Sequence, residues 1–207
     1  MLASIFRSWL LHGNVTRTLL ACAFMPLLKS SLKDPGDVNS YRAIAGSSLL
    51  LKLFDKVILL VWGGLLSTDT LQFGYKTGTS TTECSWLVSE VASYFLRKGN
   101  HPIITLLDCT KAFDKCRFDV LFRKLIDRGL PGVVIRTLIY VYEEQYAWVR
   151  WGNSRSAQFG ITNGTRQGSV LSPALFAVYM DELLLLSHLK LVCDSIKVYL
   201  ELLAGIS

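Results

Sequence analysis

The sequence carries little charge and lacks any apolar run long enough to span a membrane. Charged residues make up 18% of the 207 residues, whereas soluble domains have about 25%. The longest apolar window, residues 57–66, holds ten residues before Ser67, and a spanning helix needs about 20. Arg7, His12 and Arg17 divide the apolar N-terminal stretch, which is not the pattern of a secretory signal. We therefore predict a protein that has no membrane partner.

Closely spaced cysteine pairs are also missing from the sequence. No CxxC spacing occurs, which argues against a zinc site. The five cysteines are scattered, so we predict reduced thiols in an intracellular protein, in the nucleus or the cytoplasm. These cysteines are Cys22, Cys84, Cys109, Cys116 and Cys193. Hydrophobic residues reach 51% and the mean hydropathy is +0.36, which excludes intrinsic disorder and leaves a compact domain or a part of something larger.

The charge that is present is mostly basic. The formal net charge is +6, and residues 1–102 carry ten basic against six acidic side chains. A basic excess in the first half suits a polyanionic partner such as nucleic acid. A pI of about 9.1 is common in other proteins as well, so charge alone leaves this open.

Apolar spacing and turn residues predict an α+β fold, because helices and strands do not alternate regularly. The first long predicted helix, residues 48–66, has four apolar residues on one face: Leu49, Leu53, Val57 and Leu60. The other predicted elements are a helix from the Ser80-x-x-Glu83 capping box to Gly99, a buried strand over residues 102–108, helices over residues 118–129 and 131–142, a hairpin over residues 146–161 and a helix from Ser172 to about Leu189.

The segment Leu107-Asp108-Cys109-Thr110-Lys111-Ala112-Phe113-Asp114 is the first candidate for chemistry. A carboxylate at the end of a strand is well placed to hold a hard cation such as Mg²⁺, which prefers oxygen ligands. Spacing alone also allows Asp108 to be a helix cap or turn residue, and it favours that interpretation. Asp114 precedes the helix predicted from Phe118 and is placed to cap it.

Two further segments have ligand-binding features. Gly164-Thr165-Arg166-Gln167-Gly168 leads into Ser172-Pro173, an N-cap followed by proline at the first helical position. Its glycines allow the loop to approach the backbone of a ligand closely, and the helix N-terminus favours an anion. In Asn39-Ser40-Tyr41-Arg42, with Lys29 upstream, Arg42 is either a bidentate phosphate ligand or a solvated surface arginine.

Taken in this order, the segments resemble the reverse transcriptase domain of non-LTR (LINE-type) retrotransposons, from about Leu10 to Ser187. Asp108-x-x-Lys111-Ala112-Phe113-Asp114 resembles polymerase motif A. Gly164-x-Arg166-Gln167-Gly168-x-x-Leu171-Ser172-Pro173-x-Leu175-Phe176 resembles motif B. Asn39-Ser40-Tyr41-Arg42-Ala43-Ile44 and Gln72-Phe73-Gly74-Tyr75-x-x-Gly78-x-Ser80-Thr81 resemble two upstream segments of that family.

The resemblance implies a right-hand polymerase fold, with a fingers-like part in residues 1–100, a partial palm in residues 101–207, and no thumb. Its partners would be an RNA template, a DNA primer and deoxynucleoside triphosphates. The implied site residues are Asp108 and the Cys109 carbonyl on Mg²⁺; Phe113 under the sugar, excluding a 2′-hydroxyl; Gln167 and Gly168 at the nucleotide pocket; Lys29 and Arg42 at the triphosphate; and Asp114, Arg166, Ser172 and Pro173 in structural roles.

The family's second carboxylate pair, in a Tyr/Phe-x-Asp-Asp hairpin beyond motif B, has no counterpart in these 207 residues. Asp194 and Glu201 are the remaining carboxylates in that region, outside the required pattern. We therefore expect a truncated, catalytically incomplete reverse transcriptase fold, whose exposed apolar surface either makes it poorly soluble or is covered by a partner. The alternatives are a noncatalytic RNA-binding remnant and a nonfunctional product of a decayed element.

Overall fold

The computed structural model describes residues 1–76, 78–108, 112–166, 168–181, 190–193 and 196–202, and it shows a mixed helix and strand architecture. The helices are α1 Leu2–His12, α2 Leu49–Trp62, α3 Thr81–Arg97, α4 Phe118–Asp127, α5 Gly132–Glu143 and α6 Ser172–Asp181. The strands are β1 Ala21–Leu28, β2 Tyr41–Gly46, β3 Pro102–Asp108, β4 Tyr146–Trp151, β5 Ser154–Arg155, β6 Phe159–Gly160, β7 Lys190–Cys193 and β8 Ile196–Leu202. Within the described ranges, no helix is both long enough and apolar enough to cross a membrane.

The chain forms two compact units, each made of two separate segments. The first unit is Met1–Leu65 with Phe113–Ser172, and the second unit is Leu66–Ala112 with Pro173–Ser207. These units follow the chain differently from the expected division at residue 100. The assignment of fingers to residues 1–100 and palm to residues 101–207 stays a prediction.

A five-stranded sheet and four helices build the first unit. Its strands follow the order β2-β1-β4-β5, and β6 also pairs with β4. β1 is antiparallel to β2 and parallel to β4, and the hairpin of β4 with β5 and β6 confirms the one predicted after residue 146. The helices α1, α2, α4 and α5 enclose a core that includes Phe54, Ile58, Leu121, Leu125 and Leu138.

Helix α2 forms where it was predicted, but it buries a different face. Leu51, Phe54, Asp55 and Ile58 are its buried residues, whereas Leu49 and Leu60 of the predicted apolar stripe are 72% and 74% exposed. The helix is apolar on almost every side, so periodicity does not indicate which stripe meets the core. The prediction of the helix is confirmed, and the choice of face is not.

The second unit contains a three-stranded antiparallel sheet, order β3-β8-β7, and helix α3. Ser80 and Glu83 form the predicted capping box at the start of α3. Strand β3 also lies where it was predicted, but the expectation that it is buried is wrong, because Leu106 is 65% exposed and Ile103 43%. Among the strands that the structure describes, β3 lies at the edge of its sheet, next to β8.

One of the predicted helix caps differs from the structure. Helix α4 begins after Arg117 without a side-chain cap, and Asp114 lies one turn earlier in the 3₁₀ helix Ala112–Lys115. Asp114 therefore does not cap α4. Helix α6 begins at Ser172, as expected, whereas its predicted end near Leu189 lies outside the described residues.

Candidate nucleotide-binding site

The β1–β2 hairpin places Lys29 and Arg42 at the same end of the first unit's sheet. Lys29 follows β1, and its backbone N–H donates to the Ser40 carbonyl at 2.9 Å. Its Nζ donates to the Asn39 carbonyl at 2.7 Å. Arg42 pairs with Leu27 across the ladder, so both basic side chains lie on one face of the sheet. Both are exposed, which leaves them accessible to an anion.

The loop between residues 164 and 171 packs against β2 through a glycine. Gly168 has φ +79°, and a Cβ built there would lie 2.5 Å from the Ala45 carbonyl oxygen. The hydroxyl of Ser47 donates to the Gly168 carbonyl at 3.5 Å. The sequence predicts a loop that approaches a ligand closely, whereas the structure shows Gly168 close to the protein's own backbone in β2. This contact places the loop beside the strand that carries Arg42.

The same loop also contacts the segment that follows β3. The Thr165 N–H donates to the Phe113 carbonyl at 2.8 Å, and the Gly164 N–H donates to the Cys116 carbonyl at 2.8 Å. A Cβ at Gly164 would lie 2.9 Å from the Phe113 carbonyl oxygen. Phe113 is half-buried and Asp114 exposed. The two halves of the first unit therefore meet where Phe113, the loop and β2 are joined.

A buried ion pair between Arg166 and Asp55 attaches this loop to α2. Arg166 Nη2 lies 2.9 Å from Asp55 Oδ2 of α2, and the two side chains are 4% and 5% exposed. The Ser169 hydroxyl donates to the same carboxylate oxygen at 2.5 Å. The Ser172 hydroxyl donates to the Arg166 carbonyl. These contacts fix the loop on both sides of Gln167, which itself lies outside the described residues.

Burial makes the nearby thiol and phenol resistant to ionisation. Burial is the main cause that raises the pKa of Cys116 to about 12, with a hydrogen bond from the Thr165 backbone opposing it. Burial likewise raises the pKa of Tyr142 to about 12, the Arg166 charge opposing it. Both groups therefore keep their protons at neutral pH.

Asp108 belongs to the second unit, as the last residue of β3. Its backbone pairs with Ile196 of β8, and its neighbour Cys109 lies outside the described residues. Glu201 pairs with Ile103, five residues away along the strand, which is roughly 16 Å. Asp194 lies outside the described residues.

The residues described do not make up a complete site for metal ions. Within the described ranges, no group of three or more His, Cys, Asp or Glu side chains is placed to hold one. Two Mg²⁺ ions close together bring four positive charges, which several carboxylates must offset. Asp108 is one such carboxylate, so the donor set on its own does not fit a two-ion centre.

In the second unit, the segment after residue 71 packs on α6. Gln72 is 1% exposed, and its Nε2 donates to the Ala177 carbonyl at 3.2 Å. The Tyr75 ring meets the Phe176 ring edge-on, with centroids 5.5 Å apart. Pro173 begins the part of α6 that belongs to this unit.

Sequence reasoning missed Asp55 and Ser169 as residues of the site. The available signal was an aspartate within the apolar run Leu49–Trp62, one turn from Leu51 and three residues from Ile58. A charged residue on a buried helix face requires a partner of opposite charge. Arg166 is that partner, 111 residues further along the chain.

Residues 29–200 match the family described as reverse transcriptase (RNA-dependent DNA polymerase). The chain is 26% identical over 185 residues to a retrovirus-related Pol polyprotein from type-1 retrotransposable element R2 of Nasonia vitripennis, covering 87% of this chain and 18% of that protein. It is 27% identical over 189 residues to the RNA-directed DNA polymerase from mobile element jockey of Drosophila melanogaster, covering 88% and 20%. It is 30% identical over 149 residues to the probable RNA-directed DNA polymerase from transposon BS of the same species, covering 70% and 16%. The chain therefore spans about a fifth of the length of these relatives.

Proposed function

The chain belongs to the reverse transcriptase (RNA-dependent DNA polymerase) family, as a domain of the non-LTR retrotransposon type, and on that premise we propose that its first unit binds the incoming deoxynucleoside triphosphate during DNA synthesis on an RNA template. The substrates in this proposal are the triphosphate, the RNA template and a DNA primer. The fingers and palm assignment made from the sequence is part of the same proposal.

One observation supports this proposal above the others. Three segments that resemble the family's motifs meet in the first unit, although they lie far apart in the sequence. Gly168 packs on Ala45 of β2, three residues from Arg42, and Thr165 bonds to the Phe113 carbonyl. In the proposed site, Arg42 supplies a cation for phosphate and Phe113 an aromatic ring for the sugar.

The proposed roles follow from the chemistry of each group. Lys29 and Arg42 neutralise the charge on the triphosphate, and Arg42 has the planar geometry for a bidentate phosphate contact. Phe113 packs under the sugar and leaves no space for a 2′-hydroxyl. Gln167 and Gly168 form the wall of the nucleotide pocket. Arg166 stays buried on Asp55 and supports this wall without contacting substrate.

We assign Asp108, with the Cys109 carbonyl, as the Mg²⁺ ligands of the family's reaction. Mg²⁺ held by these two groups would supply positive charge beside the primer 3′-oxygen and the leaving pyrophosphate. These 207 residues contain no adjacent pair of aspartates to share the charge of two ions. We therefore expect this polypeptide on its own to bind nucleotide without extending a primer.

Nucleotide binding is testable with the 207-residue chain. Fluorescently labelled dATP is titrated with the protein and Mg²⁺, and anisotropy gives the Kd. Arg42→Ala is expected to weaken binding about tenfold or more, since one charge-assisted phosphate contact is worth about 1.5–3 kcal/mol. Arg123→Ala, which removes another exposed arginine on α4, is the matched control and is expected to leave the Kd unchanged. Equal losses in both variants would contradict the proposed site.

Primer extension tests the expected inactivity. The chain is incubated with an RNA template, a DNA primer, Mg²⁺ and deoxynucleotides, and the products are separated on a gel. No extension is expected. Template-dependent incorporation that disappears in Asp108→Ala would show that the chain is an active polymerase and that other carboxylates supply the missing charge.

A further inference from the structure

A single Asn-Gly dipeptide occurs in the sequence, at Asn163-Gly164, where the loop of residues 164–171 begins. An asparagine that precedes glycine loses its side-chain amide most readily, because glycine has no Cβ to hinder the approach of its own backbone nitrogen to the asparagine side chain. Asn163 is exposed, whereas Gly164 is buried. The side chain that would react is thus open to water, and the backbone nitrogen that would attack it is not.

Loss of the amide is a reaction within the chain that needs water and no other reactant. The Gly164 backbone nitrogen bonds to Cγ of Asn163, the bond from Cγ to Nδ2 breaks, and Nδ2 leaves as ammonia with the proton that the Gly164 nitrogen gives up. Water then opens the resulting succinimide ring at one of its two carbonyl carbons. Attack at Cγ gives aspartate, and attack at the main-chain carbonyl carbon gives isoaspartate, in which the main chain runs through the former side chain.

The structure holds the attacking nitrogen away from this reaction. The Gly164 N–H donates to the Cys116 carbonyl at 2.8 Å, and the next N–H, that of Thr165, donates to the Phe113 carbonyl at 2.8 Å. Breaking the hydrogen bond of a buried N–H is unfavourable, so this group keeps both its proton and its position. The Gly164 nitrogen therefore does not reach Cγ of Asn163 while these two hydrogen bonds are formed.

Close packing of the Gly164 backbone acts in the same direction. Gly164 has φ +94°, and a Cβ built there would lie 2.9 Å from both the Asp114 Cα and the Phe113 carbonyl oxygen. Closing the succinimide ring turns the peptide unit between Asn163 and Gly164, and the neighbouring backbone leaves little room for that movement. The reaction therefore requires the loop to move away from residues 113–116.

We propose that Asn163 is a deamidation site that the hydrogen bond from Gly164 to Cys116 protects, so that it reacts only when the loop of residues 164–171 opens. The product marks the opening permanently. Aspartate or isoaspartate places a negative charge directly before the buried Gly164, and isoaspartate also lengthens the main chain there, which displaces the Gly164 N–H from the Cys116 carbonyl. Nucleotide has no part in this reaction, so the site is tested separately from the proposed function.

Mass spectrometry after trypsin digestion measures the reaction. Cleavage after Arg155 and Arg166 releases residues 156–166, a peptide in which Asn163 is the sole asparagine. The full chain is incubated at neutral pH with and without denaturing guanidinium chloride, and the aspartyl and isoaspartyl forms of this peptide are separated by chromatography. Asn163 is expected to react at least about tenfold more slowly in the folded chain than in the denatured chain, because the folded chain reacts only through local opening.

Asn100 is the internal control in the same digest. It precedes His101, and both residues are exposed and lie outside the helices and strands. Because its neighbours are open to water, folding is expected to change the rate at Asn100 much less than the rate at Asn163. Asn163→Gln is expected to remove the signal from residues 156–166, which assigns the signal to this residue and not to Gln158.

Two variants connect the rate to the contacts that hold the loop. Asp55→Asn removes a charge of the buried ion pair, and Ser169→Ala removes a hydroxyl that donates to Asp55. Both are expected to speed the reaction of Asn163 in the folded chain, Asp55→Asn by about fivefold or more. Asp119→Asn, in an exposed ion pair, is the matched control and is expected to leave the rate unchanged. Circular dichroism shows whether each variant is folded.

Two results would overturn the inference: equal rates at Asn163 in the folded and denatured chains, or equal rates in folded Asp55→Asn and Asp119→Asn. If Asp55→Asn does not fold, Ser169→Ala decides instead, because it keeps both charges of the ion pair. An unchanged rate in folded Ser169→Ala would then show that the loop contacts do not control the reaction.

Discussion

Replacing Asp55 by asparagine tests whether the buried ion pair holds the loop of residues 164–171. The substitution keeps the shape of the side chain and removes its charge, leaving the Arg166 guanidinium without a counterion in a site where both side chains are at most 5% exposed. Loss of one partner of a buried pair costs about 3–5 kcal/mol. A domain is stable by about 5–15 kcal/mol in total, so the loss should be large. Urea unfolding followed by circular dichroism gives the free energy of unfolding.

The matched control for Asp55→Asn is Asp119→Asn. Asp119 pairs with Arg117 at 2.6 Å, but these side chains are 56% and 66% exposed. Solvent screens an exposed pair, so the same chemical change is expected to have a much smaller effect there. Equal effects of the two substitutions would refute the reasoning that burial makes the Asp55–Arg166 pair essential.

A double substitution separates two quantities: the net contribution of the Asp55–Arg166 pair to stability, and the loss that results from leaving one of its charges unpaired. Arg166 Nε and Nη1 are buried without a hydrogen-bond partner among the described residues, so the pair is only partly satisfied. Replacing a buried pair of this kind by apolar residues is often neutral or stabilising. Asp55→Leu combined with Arg166→Met is therefore expected to regain most of the stability lost in Asp55→Asn. A double variant as unstable as the single one would contradict the expectation that the loss in Asp55→Asn comes from leaving a buried charge unpaired.

Three further predictions concern the glycines, the buried thiol and the helix cap. Gly168→Ala places a Cβ against the Ala45 carbonyl. It is expected to lower the free energy of unfolding in urea clearly more than Gly129→Ala, because Gly129 has a similar φ of +77° but open space around it. Equal losses would show that backbone strain at positive φ alone is responsible. Burial raises the pKa of Cys116 from 9.0 to about 12, so the thiol loses its proton at lower pH in the unfolded state than in the folded state. The free energy of unfolding is therefore expected to fall between pH 9 and 12 by up to about 1.4 kcal/mol per pH unit. Cys116→Ala should make the free energy of unfolding less dependent on pH between pH 8 and 10.5, and an unchanged dependence would contradict the assignment. Ser80→Ala removes the capping box of α3 and is expected to cost about 1 kcal/mol, measured by thermal unfolding; no loss would mean that the cap does not stabilise the second unit.

Elements with local signals could be predicted from the sequence. The capping box of α3 depends on two residues three positions apart, and β3 ends at Asp108 as its apolar run indicates. The motifs that carry the family resemblance are likewise contiguous segments, and the family match over residues 29–200 confirms that resemblance. Such signals depend on neighbours along the chain, so they need no knowledge of tertiary packing.

Burial and partner choice could not be predicted in the same way. Leu49 and Ile58 are equally apolar in the sequence, yet the first is exposed and the second fully buried. The pairing of Asp55 with Arg166 spans 111 residues, and neither residue marks the other in its local sequence. In the sequence, Gly168 looks like any loop glycine, and only the structure shows that β2 leaves no space for a Cβ at this position.

The sequence by itself therefore determined the family, the elements from α2 to the start of α6 and the residues that carry the motifs, because these depend on short segments. Only the tertiary structure decided which face of α2 is buried and that an ion pair between Asp55 and Arg166 supports the loop that contains Gln167. Each of these depends on strand register or on contacts between distant segments, and such contacts leave no periodic trace in the chain.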